Sequence, residues 1–157
     1  MAQPWATGDS KENVPRNLWG GTPSFRETNA DIISSATEGS LPRLLRQYAR
    51  ESRPLDFVNI ATAFHRGAAR GMGRENHLPY DVVEYLATRI GCQTIPPTSR
   101  QVASILYGLR DQTTDAGCLV VTQLVPHIAS CKEAFNAQDV GNALYGLHGQ
   151  TDSSEVR

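Results

Sequence analysis

Apolar residues along this chain fall on helical spacing and do not alternate as they would in a strand. Phe57, Ile60, Ala61 and Phe64 occupy i, i+3, i+4 and i+7, as do Val102, Ile105, Leu106 and Leu109, and again Val140, Ala143, Leu144 and Leu147. The segments that carry these stripes resemble one another. Gln101-Val-Ala-Ser-Ile-Leu-Tyr-Gly-Leu-Arg110 parallels Asp139-Val-Gly-Asn-Ala-Leu-Tyr-Gly-Leu-His148, and Asp56-Phe-Val-Asn-Ile-Ala-Thr-Ala-Phe-His65 is a fainter copy. The offsets, 45 residues from 56 to 101 and 38 from 101 to 139, suit two-helix units that stack because none can bury its apolar face alone. The pattern predicts an all-α fold: a short α-solenoid of about three helix-turn-helix repeats, with an extended N-terminal tail.

Punctuation between the copies supplies the remaining helices. Pro54, Pro96-Pro97 with Thr98 and Ser99, and Asn136 precede the three copies, while Gly71, Gly73, Gly117 and Gly149 follow them. A run from Pro79 to Gly91 with Val82, Leu86 and Ile90, and another from Gly117 to Cys131 with Val121, Leu124, Val125 and Ile128, read as the second helices of their units. Pro126 predicts a kink or split in the latter, because it removes a backbone donor and crowds the preceding turn. Upstream, Leu41, Leu44, Leu45 and Tyr48 form another stripe, and a short helical piece is expected over residues 31–36. Asp152-Ser-Ser-Glu155 has the capping-box pattern of a helix start, so the last repeat reads as incomplete.

Two recurrent positions lie off the stripe. Ala63, Gly108 and Gly146 are small, and glycine inside a helix costs about 1 kcal/mol relative to alanine, so another helix is expected to pass close there. On the opposite face, Asn59, Ser104 and Asn142 align, as do Thr62, Tyr107 and Tyr145, with His65, Arg110 and His148 beside them. An amide or hydroxyl beside a ring is a surface on which a base could stack and bond its edge, and Asn59, Tyr107, Asn142 and Tyr145 are candidate RNA contacts on that ground. Packing of the same positions on the next helix is the stronger expectation.

Composition narrows the picture. The 157 residues, 39% of them hydrophobic, support one domain, expected over residues 29–157 behind an irregular tail of residues 1–28. Trp5 and Trp19 in that polar, Pro- and Gly-bearing tail are candidate partner-docking residues. The net charge of −1 argues against a strongly basic, nonspecific nucleic-acid binder, yet residues 41–75 hold seven arginines against three acids. Within that block Arg43, Arg46, Arg50, Arg66, Arg70 and Arg74 are candidate phosphate contacts, since the guanidinium fork suits bidentate recognition. No stretch approaches the roughly 20 apolar residues of a membrane span. Cys92, Cys118 and Cys131 form no CxxC pair, and His127 with Cys131 is half a zinc site at most, so no metal or other cofactor is expected. P-loop, dinucleotide, nucleophile-elbow and HExxH patterns are lacking, so the chain does not read as an enzyme.

Asn142-Ala-Leu-Tyr-Gly-Leu-His-Gly149 with Asp152-Ser-Ser-Glu-Val-Arg157 behind it, and Val58-Asn-Ile-Ala-Thr-Ala-Phe-His-Arg66, resemble repeat motifs of organellar RNA-metabolism proteins. The families are the octotricopeptide-repeat proteins and the repeats that precede RAP domains in FAST-kinase-like proteins. The resemblance covers residues 30–157 loosely. It implies a HEAT-, armadillo- or octotricopeptide-like α-solenoid, in a mitochondrion or plastid, that binds RNA or joins a ribonucleoprotein assembly. About three repeats and no RAP-like C-terminal domain depart from those families and favour a small scaffold or a truncated piece. Two functions are therefore expected: an RNA-binding module, or a protein–protein scaffold or structural subunit of a large complex with no direct RNA contact.

Overall fold

The computed structural model describes residues 23–68, 77–148 and 150. Among them are seven α-helices and no strand: α1 (Phe25–Thr37), α2 (Leu41–Arg50), α3 (Phe57–Gly67), α4 (Tyr80–Gly91), α5 (Ser99–Tyr107), α6 (Thr114–Ser130) and α7 (Ala137–Leu147). The odd-numbered helices lie side by side in chain order, α1 on α3, α3 on α5 and α5 on α7; α2, α4 and α6 form a second row. Within the core, Ile32, Leu45, Ile60, Phe64, Leu86, Ile90, Ile105 and Leu124 are fully buried. The apolar stripes of the two rows therefore meet each other, which is where their hydrophobic stabilisation resides.

Every odd helix opens on a reciprocal capping box. Ser24 with Glu27, Asp56 with Asn59, Thr98 with Gln101 and Asn136 with Asp139 each satisfy two backbone donors that a helix start would leave unpaired. The even helices begin otherwise, on Pro42 in the first turn, on Pro79, or on the single hydroxyl of Thr113. Two of the boxes also tie neighbouring odd helices together. Asn59 Nδ2 donates to the Phe25 carbonyl at 2.9 Å, and Ser99 Oγ donates to Asp139 Oδ2 at 3.1 Å in a buried contact.

These caps correct the sequence register. Counted from cap to cap the offsets are 42 residues from Asp56 to Thr98 and 38 from Thr98 to Asn136, so the first copy is displaced by three positions from the alignment of apolar stripes. Three residues are nearly one helical turn, so a stripe survives such a slip while the polar positions change partners. Asn59 is thereby equivalent to Gln101 and Asp139, and the position aligned with Ser104 and Asn142 belongs to Thr62. A fourth helix opening on the same kind of cap is also present. α1 starts at Phe25, well ahead of the short piece expected over residues 31–36, because Ser24 and Glu27 close its capping box.

The close approach expected at the small residues is present. A side chain on Gly108 would bring its Cβ within 2.6 Å of Phe64 Cβ and 2.8 Å of the Phe64 carbonyl oxygen. One on Gly146 would run into the Leu106 carbonyl and lie 2.7 Å from Tyr107 Cα. Pro126, by contrast, does not split its helix: α6 runs unbroken from Thr114 to Ser130. Pro126 and Thr122 are both exposed, so the carbonyl that loses its intrahelical donor can be met by water.

The third stripe behaves differently from the first two. Val102 and Leu106 on α5 are 0% and 5% exposed, whereas Val140 and Leu144 on α7 are 43% and 65% exposed. α7 covers the α5 pair, and no described residue covers α7. No helix among the described residues is long and apolar enough to cross a membrane.

Candidate functional site

Position on the odd helices decides which side chains reach the surface together. Nine residues after each N-cap stand Ile33, His65, Tyr107 and Tyr145; six after it stand Ala30, Thr62, Ser104 and Asn142; two after it stand Arg26, Val58, Arg100 and Gln138. Spacings of three and four residues put these on one face of each helix, so the stacked row presents an aromatic line beside a polar line. The rings touch from helix to helix. His65 and Tyr107 have centroids 5.6 Å apart at 30°, and Tyr107 and Tyr145 are stacked with centroids 5.9 Å apart at 26°.

Arg110 clamps this ladder from behind. Its guanidinium lies 5.0 Å from the Tyr107 centroid and 5.7 Å from that of Tyr145, and it donates to the Tyr107 hydroxyl (2.8 Å), to Asp111 (2.9 Å) and to the Ala68 carbonyl at the end of α3. Only 7% of its side chain is exposed, so its charge is used inside the fold. The rings are too close for a base to enter between them, since two stacking steps of about 3.4 Å would be needed. Tyr145, 47% exposed, has no described ring on its outer side, and of the two tyrosines it is the one whose outer face can take a stacked base.

Beside the ladder, between α3 and α5, lies a groove of about 360 Å³ that reaches Ile33 of α1. Val58, Ala61, Thr62, His65 and Arg66 line it from α3, and Thr98, Arg100, Gln101 and Ser104 line it from the start of α5. No carboxylate lines it, and neither Arg66 nor Arg100 makes an ion pair with a described residue. The His65 imidazole is pushed below its usual range, first by burial and then by repulsion from Arg66 and Arg100. Both guanidiniums thus act on one small region.

The other candidate cations lie elsewhere. Arg43, Arg46 and Arg50 are exposed on α2, where with Ala49, Asp81 and Val82 they line a second groove, of about 370 Å³, against α4. Arg46 is held there by Asp81 through a bidentate pair of 2.7 and 3.1 Å, which also draws the Asp81 carboxyl below its ordinary range. Among the described residues the arginine block is therefore divided between the two rows of helices, Arg43, Arg46 and Arg50 on α2 and Arg66 on α3.

Asn59 is withdrawn from the surface: fully buried, with its amide spent on the cap of α3 and on the Phe25 carbonyl, it cannot meet a base. Thr62 stands in the place assigned to it. Tyr107 is half-buried and walled on both ring faces, while Asn142 is half-buried and Tyr145 exposed on α7. Arg70, Arg74, Trp5 and Trp19, together with Gly71, Gly73, Gly149 and the Asp152-to-Glu155 motif, lie outside the described residues. Ser104 and His65 were already visible as recurrent positions off the apolar stripe, whereas Arg100 and Gln101 were not singled out by it. Counting two, three, six and nine residues from the capping boxes finds all four.

Among the described residues no three potential metal ligands gather in one place. His127 packs edge-on against the Phe57 ring, with centroids 5.2 Å apart. No family model matches the chain, and comparison with curated proteins and with solved structures finds no match.

Proposed function

We propose that this chain is a non-catalytic α-solenoid module that binds single-stranded RNA along its odd-numbered helices, in an organellar ribonucleoprotein setting as the repeat resemblance implies. The observation that carries the reading is the pairing of two lines on one surface. Thr62, Ser104 and Asn142 supply hydroxyl and amide groups one turn from the ring line that ends at Tyr145, alongside Arg66 and Arg100, which make no ion pair with a described residue. Bases can be met by polar groups and by stacking on Tyr145, and phosphates by arginine, which is how single strands are held without a duplex groove.

Fluorescence anisotropy with a labelled single-stranded RNA of about a dozen nucleotides tests this. Binding should weaken linearly on a log–log salt plot, by about 0.7 per phosphate neutralised, and Tyr145→Ala should weaken it further. Absent binding at low salt, or binding that ignores salt, defeats the proposal.

A second reading, a protein–protein scaffold, is favoured by the apolar face of α7 that no described residue covers at Val140, Leu144 and Tyr145. Partners captured from an extract with and without nuclease separate the two: those that persist after RNA digestion support the scaffold.

A further inference from the structure

We propose that the groove between α3 and α5 is a phosphate seat, in which Arg66 and Arg100 grip one phosphodiester group of the bound strand while Gln101 and Ser104 donate to it. The proposal rests on the RNA-binding reading and assigns to this one groove the grip on the backbone.

Three features of the groove favour an anion. Among the described residues its walls carry two guanidiniums from different helices and no carboxylate, so no described residue cancels the positive potential there. Neutral donors stand beside them. Gln101 spends its Oε1 in accepting from the Thr98 backbone at 2.9 Å, which leaves the Nε2 hydrogens to donate, and the Ser104 hydroxyl makes no hydrogen bond to a described residue. The capping box that starts α5 also fixes where Arg100 and Gln101 stand, because Thr98 accepts from the Gln101 amide at 3.2 Å. The helix start itself adds partial positive charge on the same side.

The α2–α4 groove is the natural comparison, since it has similar volume and three arginines. There Asp81 occupies Arg46 with two hydrogen bonds, and an arriving phosphate would have to displace a carboxylate. No described residue blocks the α3–α5 groove in a comparable way. The position of His65 gives it a built-in reporter. An anion seated between Arg66 and Arg100 offsets the repulsion that now opposes protonation of the imidazole, so its titration should move upward on binding.

The test combines salt-dependent RNA affinity with the His65 titration followed by NMR on the full chain, each variant first checked for wild-type helicity by circular dichroism. Arg66→Gln and Arg100→Gln should each weaken binding about tenfold and reduce the salt slope by at most about 0.7, while the double variant Arg43→Gln/Arg50→Gln should stay within about twofold of wild type. A strand with a neutral methylphosphonate backbone should bind weakly and show little dependence on Arg66. On adding the natural RNA strand, the His65 midpoint should rise in the wild type and rise less in Arg100→Gln. If Arg66→Gln and Arg100→Gln bind RNA with unchanged affinity and slope, the seat is elsewhere and the RNA reading still stands. If the wild type binds no RNA, both fall together.

Discussion

Two glycines on α7, five residues apart, should respond oppositely to the same change. A Cβ built on Gly141 has no neighbour within 4 Å, whereas one on Gly146 meets the Leu106 carbonyl and comes within 2.7 Å of Tyr107 Cα. Both obstacles at Gly146 are backbone of α5, so no side chain can swing aside. Bringing the Tyr107 contact out to an ordinary separation of about 3.5 Å means moving α7 by close to an ångström, and the tighter Leu106 contact requires more. Overpacking of this kind costs about 1–3 kcal/mol. Against it stands a helix-propensity gain of up to about 1 kcal/mol for Gly→Ala, full at Gly141 in mid-helix and smaller at Gly146 near the end. Gly141→Ala should therefore stabilise by about 0.5–1 kcal/mol and Gly146→Ala should destabilise by about 1–2 kcal/mol. Urea unfolding reads both. With a slope near 2 kcal/mol per molar, the midpoint should rise by about 0.3–0.5 M for the first variant and fall by about 0.5–1 M for the second. Equal midpoints, or a more stable Gly146→Ala, would refute the backbone-to-backbone approach of α5 and α7.

The remaining expectations concern burial, capping and pH. Leu106→Ala should cost about 2–5 kcal/mol and Leu144→Ala less than about 1, although the two stand at the same place on their helices, because Leu106 is 5% exposed and Leu144 65%; calorimetry on both variants checks this. Asn59→Ala should cost about 1–3 kcal/mol in urea unfolding, since it removes half of the α3 capping box and the bond that ties α3 to the Phe25 carbonyl of α1. The Tyr48 phenol is raised to about 12, first by burial and then by Asp31 beside it, so the folded state keeps its proton where the unfolded chain releases it. Stability should hold up to about pH 10 and fall between about pH 10 and 12, and Tyr48→Phe should flatten that fall in thermal melts. His65 has the opposite sign: its depressed titration means that stability declines as pH drops below about 6.5, a decline that His65→Gln should reduce.

The helices themselves were legible because period and punctuation agree. Leu41, Leu45 and Tyr48, or Val82, Leu86 and Ile90, are apolar at helical spacing and are buried as that spacing requires. The register was harder to read. A stripe repeats after three or four residues, so the copy beginning at Asp56 could slide by one turn without losing its apolar match, and Asn59 went with it to the wrong face. The capping boxes do not have that degeneracy, because each depends on two residues at one spacing, and they also reveal α1 through Ser24 and Glu27. Exposure of Val140 and Leu144 could not be read from their own sequence, which matches that of buried relatives. It depends on what packs beyond α7. The division of the arginines between two rows, and the pairing of Arg46 with Asp81 35 positions away, likewise depends on how the rows assemble.

The central claim is that the odd helices stack in one cap-defined register, which puts His65, Tyr107 and Tyr145 in a line. Proton NMR with selectively labelled aromatic rings tests it directly. Ring-to-ring nuclear Overhauser effects are predicted from His65 to Tyr107 and from Tyr107 to Tyr145, with none between His65 and Tyr145. Spectra in which Tyr107 shows contacts to neither neighbour, or in which the first copy sits three residues away so that Thr62 and not His65 meets Tyr107, would contradict the account.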